Sequence, residues 1–290
     1  MEEETTAPRP TQPQYERYRR SDVFSVGAVI GKCFSIWARK LGTLLWIMVI
    51  VFSPLIAYNA VQVVGEPFPT DLVDPEADEP EFRADVAWRI FGEFVGSTLL
   101  GFVAQAAVIY AVLQELRGER VSVGESLRVG MARILPVVGV ALAAGLCIGL
   151  VPGFALGVPF GLGAYLLLVP LVPLSLAWYA YFSCTLWVAV PAVVVERTGV
   201  FGALVRSAKL THGHKWRVLG ILAILFAVQM GVGTVAGIAA LASVKAGLVL
   251  QLAVALLIGA LTATAAAVGY HDLRRAKEGV GVEDLLAVFE

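Results

Sequence analysis

Charge is scarce in this chain. Asp, Glu, Lys and Arg make up 16% of its 290 residues, against about 25% in soluble domains. Cysteine is scarcer still: Cys33, Cys147 and Cys184 lie far apart in apolar or amphipathic stretches. No pair has metal-ligand spacing, and three thiols cannot all close into disulfides, so a disulfide scaffold is excluded. They are expected to act as small buried hydrophobes. Histidine appears three times, and His212-Gly213-His214 is not a recognised metal spacing. Beside Lys215 and Arg217 it reads as a turn that meets lipid headgroups. The first 21 residues lack any apolar run, so no secretory signal is expected there. No catalytic, nucleotide or metal constellation stands out. The expected chemistry is non-enzymatic, with no cofactor, no metal and no nucleic-acid partner.

What is abundant is apolar surface. Hydrophobic residues reach 58% and mean hydropathy is +0.78. A water-soluble fold of this length has no interior large enough for them. A spanning helix needs about 20 apolar residues, because each adds about 1.5 Å across about 30 Å of hydrocarbon. Six such runs are expected, at 43–64, 86–116, 134–151, 161–195, 218–242 and 246–270. A turn containing Pro152, Gly153, Gly157 and Pro159 should separate the third from the fourth. The fourth holds Pro170, Pro173 and Pro191, and reads either as one kinked helix or as a span plus a re-entrant piece.

Basic residues cluster between particular spans. One group is Arg9, Arg17, Arg19, Arg20, Lys32, Arg39 and Lys40. The next are Arg117, Arg120, Arg128 and Arg133, then Arg197, Arg206, Lys209, Lys215 and Arg217, then Arg274, Arg275 and Lys277. Only Arg83, Arg89 and Lys245 lie elsewhere. The positive-inside rule therefore places both ends in the cytoplasm. The segment 65–85, which carries eight carboxylates against Arg83 alone, is placed outside. Its carboxylates lack the EF-hand calcium spacing. The expected organisation is a disordered cytoplasmic tail at 1–21, a transmembrane domain at 22–278 and a short cytoplasmic segment at 279–290.

An internal repeat accompanies the clusters. Phe24-Ser25-Val26-Gly27, Val121-Ser122-Val123-Gly124 and, more loosely, Val200-Phe201-Gly202-Ala203 each open a basic amphipathic segment that precedes an apolar run. In the first, Val26, Val29, Ile30, Cys33, Phe34, Trp37 and Leu41 fall on one helical face. The second opens with Ser122-x-x-Glu125, a capping box. The fold class is thus all-α: a polytopic bundle of about six spans, in three repeats of an interfacial amphipathic helix plus a helical hairpin. Such helices lie at the headgroup level or collar the spans. Candidate lipid-headgroup contacts are Lys32, Trp37, Arg39, Lys40, Arg206, Lys209, Lys215, Trp216 and Arg217.

Polar residues inside spans are few. Arg89 and Glu93 are spaced for an i,i+4 salt bridge or for snorkelling to the outer interface. Gln105, Gln229 and Gln251 are expected to hydrogen-bond between helices, and Gly231, Gly233, Gly237 and Gly259 to allow close helix approach. Asp272 is expected to pair with Arg275 or cap an amide. Gly199 and Gly279 read as helix C-caps.

Two stretches carry a family resemblance. One is 196–220, centred on Arg206-Ser207-Ala208-Lys209-Leu210-Thr211-His212-Gly213-His214-Lys215-Trp216-Arg217. The other is 270–279, which opens Tyr270-His271-Asp272-Leu273-Arg274-Arg275. They resemble the membrane domain found beside bacterial glycerophosphoryl diester phosphodiesterases, and stand-alone multi-pass proteins of that kind. In the enzyme, the resemblance implies, catalysis belongs to a separate barrel of about 250 residues. The spans use up this chain, so the resemblance implies a membrane module without the hydrolase. Two functions follow as expectations. One is a scaffold that engages membrane lipids, or another membrane or cytoplasmic protein, at the cytoplasmic face. The alternative is a transporter or channel for an apolar or lipid-like substrate.

Overall fold

Amphipathic helices, two of them serine-capped, alternate with apolar helices long enough to cross a bilayer. A computed structural model describes residues 24–64, 84–196 and 198–278. The tail at 1–21, most of the acidic segment and the stretch 279–290 lie outside these described residues. The elements are α1 (Val26–Arg39), α2 (Leu41–Val64), α3 (Ala84–Leu116), α4 (Val123–Ala132) and α5 (Ile134–Gly161). A 3₁₀ turn (Tyr165–Leu167) leads into α6 (Leu168–Leu186) and α7 (Ala189–Glu196). Then come α8 (Gly199–Thr211), α9 (Lys215–Ala242) and α10 (Val244–Glu278). Among the described residues there is no strand. Six helical stretches are long and apolar enough to span a membrane. Helix is what lipid demands, because each backbone N–H and C=O must find its partner within the segment.

The three repeats are present: α1 precedes the pair α2–α3, α4 precedes α5–α6, and α8 precedes α9–α10. Ser25 and Ser122 start the first two as N-caps, accepting from the Ala28 and Glu125 amides at 3.3 and 3.4 Å. A proline inside α2 is accommodated locally. Pro54 offers no N–H to the Ile50 carbonyl four residues back, and the neighbouring Ser53 hydroxyl donates to that carbonyl at 2.8 Å.

The crossings share the interior unequally. In the apolar stretch of α10, 56% of residues are buried, against 6% in the fourth crossing. α10 packs along α2, α3 and α9, and α3 also packs on α4 and α2. The centre is therefore α3 with α10, lined by Val108, Ile109, Val112, Leu261 and Val268. The α5–α6 hairpin stands at the periphery, with Leu142, Leu146, Phe154, Leu174 and Leu176 exposed where lipid would lie.

Two expectations are corrected here, on the third crossing and on Cys147, and the open reading of the fourth crossing is narrowed. The third crossing does not end at residue 151. α5 runs through Pro152, Gly153, Gly157 and Pro159 to Gly161, and the turn falls at Leu162 and Gly163, the latter at φ 69°. A membrane helix tolerates such residues because no alternative backbone partner competes. The fourth crossing is a single apolar stretch over 165–196, interrupted rather than continuous. It breaks at Trp187 and Val188, just before α7, where Pro191 occupies the third helical position. There its missing N–H is harmless, while its ring opposes continuation from residue 187. At the break, the Thr185 carbonyl accepts from Ser207 Oγ at 2.7 Å and Thr211 Oγ1 at 3.3 Å, both from α8. Cys147 is exposed rather than buried, whereas Cys33 and Cys184 are buried as expected.

The small residues also divide. A Cβ at Gly259 would sit 3.3 Å from Met48 Cε, and one at Gly269 would sit 2.3 Å from the Trp187 ring. Gly231, Gly233 and Gly237 face open space, so they do not serve the close approach expected of them.

Candidate functional site: the basic end of the bundle

All three amphipathic helices pack at the same end of the spans; ion pairs hold the first and third there, and hydrogen bonds to Glu125 hold the second. From α1, Lys32 Nζ donates to both Asp272 oxygens near the end of α10, each at 2.9 Å. His271 Nδ1 lies 3.3 Å from the same carboxylate. Asp272 is buried, and Lys32 is the partner it takes rather than Arg275. Lys40 Nζ meets Glu115 at 2.9 Å and Arg39 meets it at 3.4 Å, which ties α1 to the end of α3. Arg217, at the start of α9, donates to the Phe24 carbonyl at 2.8 Å.

α8 is held by a larger network. Arg206 Nε donates to Glu196 Oε1 at 2.8 Å, and the other side of its guanidinium pairs with Glu278. Tyr270 Oη donates to the same Glu196 oxygen at 2.6 Å, and Arg274 Nε donates to Glu278 at 2.8 Å. Burial opposes the Arg206 charge, but the hydrogen bonds to Glu196 and Glu278 outweigh it and raise its pKa.

In α4 the capping box is half formed. Ser122 caps the Glu125 amide, but the Glu125 carboxylate turns to α3. There it accepts from Tyr110 Oη at 2.7 Å and Gln114 Nε2 at 3.3 Å. A cleft of about 590 Å³ opens between α3, α4 and α7, walled by Tyr110, Gln114, Arg117, Glu125, Arg128 and Arg133.

The candidate headgroup contacts thus separate into two sets. Lys32, Arg39, Lys40, Arg206 and Arg217 hold the collar of helices against the spans. Trp37 is half-buried, edge-on to Phe34, with its Nε1 buried and without a partner among the described residues. Lys209 and Trp216 point outward, Trp216 at 85% exposure, and Lys215 sits 3.6 Å over the Tyr181 ring. The turn between α8 and α9 carries Gly213 at φ 84°. There His214 packs edge-on to Phe24, and burial, then the charges of Lys277 and Arg217, lower its pKa. Burial pushes the Cys33 thiol up to about 12, so it stays protonated.

The remaining polar residues of the spans lie elsewhere. Arg89 and Glu93 line a groove of about 430 Å³ with Pro54 and Tyr58 toward the opposite end. Gln105 lines a cavity of about 280 Å³ with Met48, Phe52, Thr98 and Thr262, between α2, α3 and α10. Gln229 and Gln251 are on exposed faces rather than between helices. Among the described residues no three His, Cys, Asp or Glu side chains converge as metal ligands.

Sequence reasoning missed the cleft. Arg117, Arg128 and Arg133 register in the sequence as a basic cluster, but nothing there shows that α3, α4 and α7 gather them round one cavity. The six spans and the collar define an all-helical, polytopic fold of the kind that occupies membranes. Comparison with protein-family models, curated proteins and solved structures finds no match for this chain.

Proposed function

We propose that this chain is a non-enzymatic, multi-pass protein of the bacterial inner membrane, with both ends cytoplasmic, that organises anionic lipid at the cytoplasmic surface. A membrane or cytoplasmic protein docked on the same face is compatible with that role. The carrying observation is the outward pair on the α8–α9 corner. Trp216 is 85% exposed and Lys209 is exposed too, at the end where all three amphipathic helices gather. An amphipathic ring at the headgroup level with a lysine reaching the phosphates is the usual anchor of such a surface. The likeness of 196–220 and 270–279 to the phosphodiesterase-associated membrane domain supports the same reading.

Neutralising Lys32, Arg39, Lys40 or Arg206 would disturb the fold as well as lipid contact. The test therefore uses Lys209→Gln with Trp216→Ala in the full chain. Brominated anionic lipid and brominated phosphatidylcholine are compared as quenchers of tryptophan fluorescence in nanodiscs. The anionic lipid is expected to quench more, and the double variant to lose that preference. Equal quenching of the wild type by both lipids refutes the role. Reporter fusions at Asp74 and Arg206 test the orientation, and a shared compartment refutes it.

One observation favours a second reading, transport of an apolar or lipid-like substrate. Gln105 lies 11 residues before the end of α3, about 16 Å along the helix axis. That places the cavity it lines near mid-bilayer. A vesicle flux assay with Gln105→Leu tests this, and wild-type vesicles no leakier to labelled lipid than protein-free ones exclude it.

A further inference from the structure

The cleft between α3, α4 and α7 differs from the rest of the basic end. Several cations elsewhere are matched by carboxylates: Lys32 with Asp272, Lys40 with Glu115, and Arg206 with Glu196 and Glu278. Arg117, Arg128 and Arg133 line the cleft, and none of them forms an ion pair among the described residues. The one carboxylate there, Glu125, already accepts from Tyr110 and Gln114. The cleft therefore presents three guanidiniums against one occupied carboxylate. Arginine suits phosphate because its planar fork donates two parallel hydrogen bonds.

A second observation narrows the ligand. Gln114 is 5% exposed, and its Oε1 is buried with no partner among the described residues. Its Nε2 must face Glu125, since two oxygens would repel, so the amide orientation is fixed. A free acceptor cannot meet an ionised phosphate oxygen. It needs a donor, such as a hydroxyl, and leaving it unmet costs free energy. The location narrows the ligand further. Gln114 and Arg117 stand at the end of α3, beside the Glu115 that receives α1. In a spanning protein that is headgroup depth, and a volume of about 590 Å³ falls within the range of small-ligand sites.

We propose that this cleft binds a phosphate ester that also carries a hydroxyl, supplied as the headgroup of an anionic phospholipid. Arg117, Arg128 and Arg133 take the phosphate, and Gln114 Oε1 accepts from the hydroxyl. The proposal deepens the lipid-organising role by giving it a selective site, and it rests on that role's placement of this end in the leaflet.

Lipid retention by the full chain, scored by native mass spectrometry after release from mixed nanodiscs, tests it. The probes are phosphatidylglycerol, phosphatidic acid and phosphatidylcholine. The wild type is expected to keep phosphatidylglycerol over the other two. Arg128→Gln with Arg133→Gln should lower that retention at least tenfold, and the corresponding lysine pair should restore part of it. Gln114→Leu should bring phosphatidylglycerol and phosphatidic acid to parity. Gly237→Ala, which neither lines the cleft nor meets any atom within 4 Å, should leave retention intact. Circular dichroism and unfolding midpoints check that the variants fold. Unchanged retention in the arginine double variant overturns the site, and unchanged selectivity in Gln114→Leu overturns the hydroxyl contact. Full displacement of the lipid by soluble glycerol phosphate would assign the site to a free ester and overturn the lipid source.

Discussion

Replacing Arg206 with alanine should be among the most damaging single changes at the basic end. Its side chain is 23% exposed and its partners Glu196 and Glu278 are 19% and 35% exposed. Hydrogen bonds to charged groups contribute about 1.5–3 kcal/mol each when shielded. The Glu196 bond qualifies, while the Glu278 contact is open enough to be screened to about 0.5–1 kcal/mol. Together they give a loss of about 2–4 kcal/mol, or about 30- to 900-fold in the folding equilibrium. Arg206→Lys keeps the charge but cannot bridge two carboxylates, so about 1 kcal/mol should still be lost. Reversible unfolding in mixed micelles measures both. A cycle with Glu196→Gln isolates the pair, and a coupling of about 1.5 kcal/mol is expected for groups in direct contact. Wild-type stability in Arg206→Ala to within about 0.5 kcal/mol, the scatter typical of surface substitutions, or simple additivity with Glu196→Gln, would refute the reasoning.

Gly269→Ala should cost about 1–3 kcal/mol, because its Cβ would meet the Trp187 ring and the overpacked site must shift. Gly237→Ala, with nothing within 4 Å, should leave the unfolding midpoint unchanged, so equal midpoints for the two variants would contradict the packing described. His214 predicts an acid sensitivity. Its folded pKa is lowered by burial and by Lys277 and Arg217, so both states are neutral above about 6.5 and stability is fully present there. Below about 6.5 the unfolded chain takes the proton first and stability falls. His214→Gln should flatten the unfolding midpoint between about pH 7 and 5, a range set by the ordinary histidine pKa, and an unaltered slope would count against it.

The spans were legible because their signal is one-dimensional. An apolar run of sufficient length needs no partner to be recognised, and α2, α3, α9 and α10 fall close to the expected bounds. The repeat was legible from Ser25, Ser122 and the amphipathic stripes that follow them. What escaped depends on partners distant in sequence. Lys32 and Asp272 are 240 residues apart, and no local pattern pairs them. Pro152 and Gly153 read as a turn in water, but lipid keeps α5 helical through them. The glycines at 231, 233 and 237 look like a helix-packing stripe, and only the third dimension shows that no helix approaches. The arginines of the cleft were visible as charge but not as a concavity, because α7 supplies a wall from far along the chain.

The contacts between the first and last repeats bear on how the chain is made. Lys32 waits for Asp272, Cys33 Sγ lies 3.7 Å from the Leu261 carbonyl, and the Phe24 carbonyl receives Arg217. None of these partners exists until the ribosome has delivered the final third of the protein. After the second crossing α1 is tied only to Glu115 at the end of α3, through Lys40 and Arg39, and of these contacts its grip on α10 forms last. A chain halted before α9 would leave its opening helix held at one end alone.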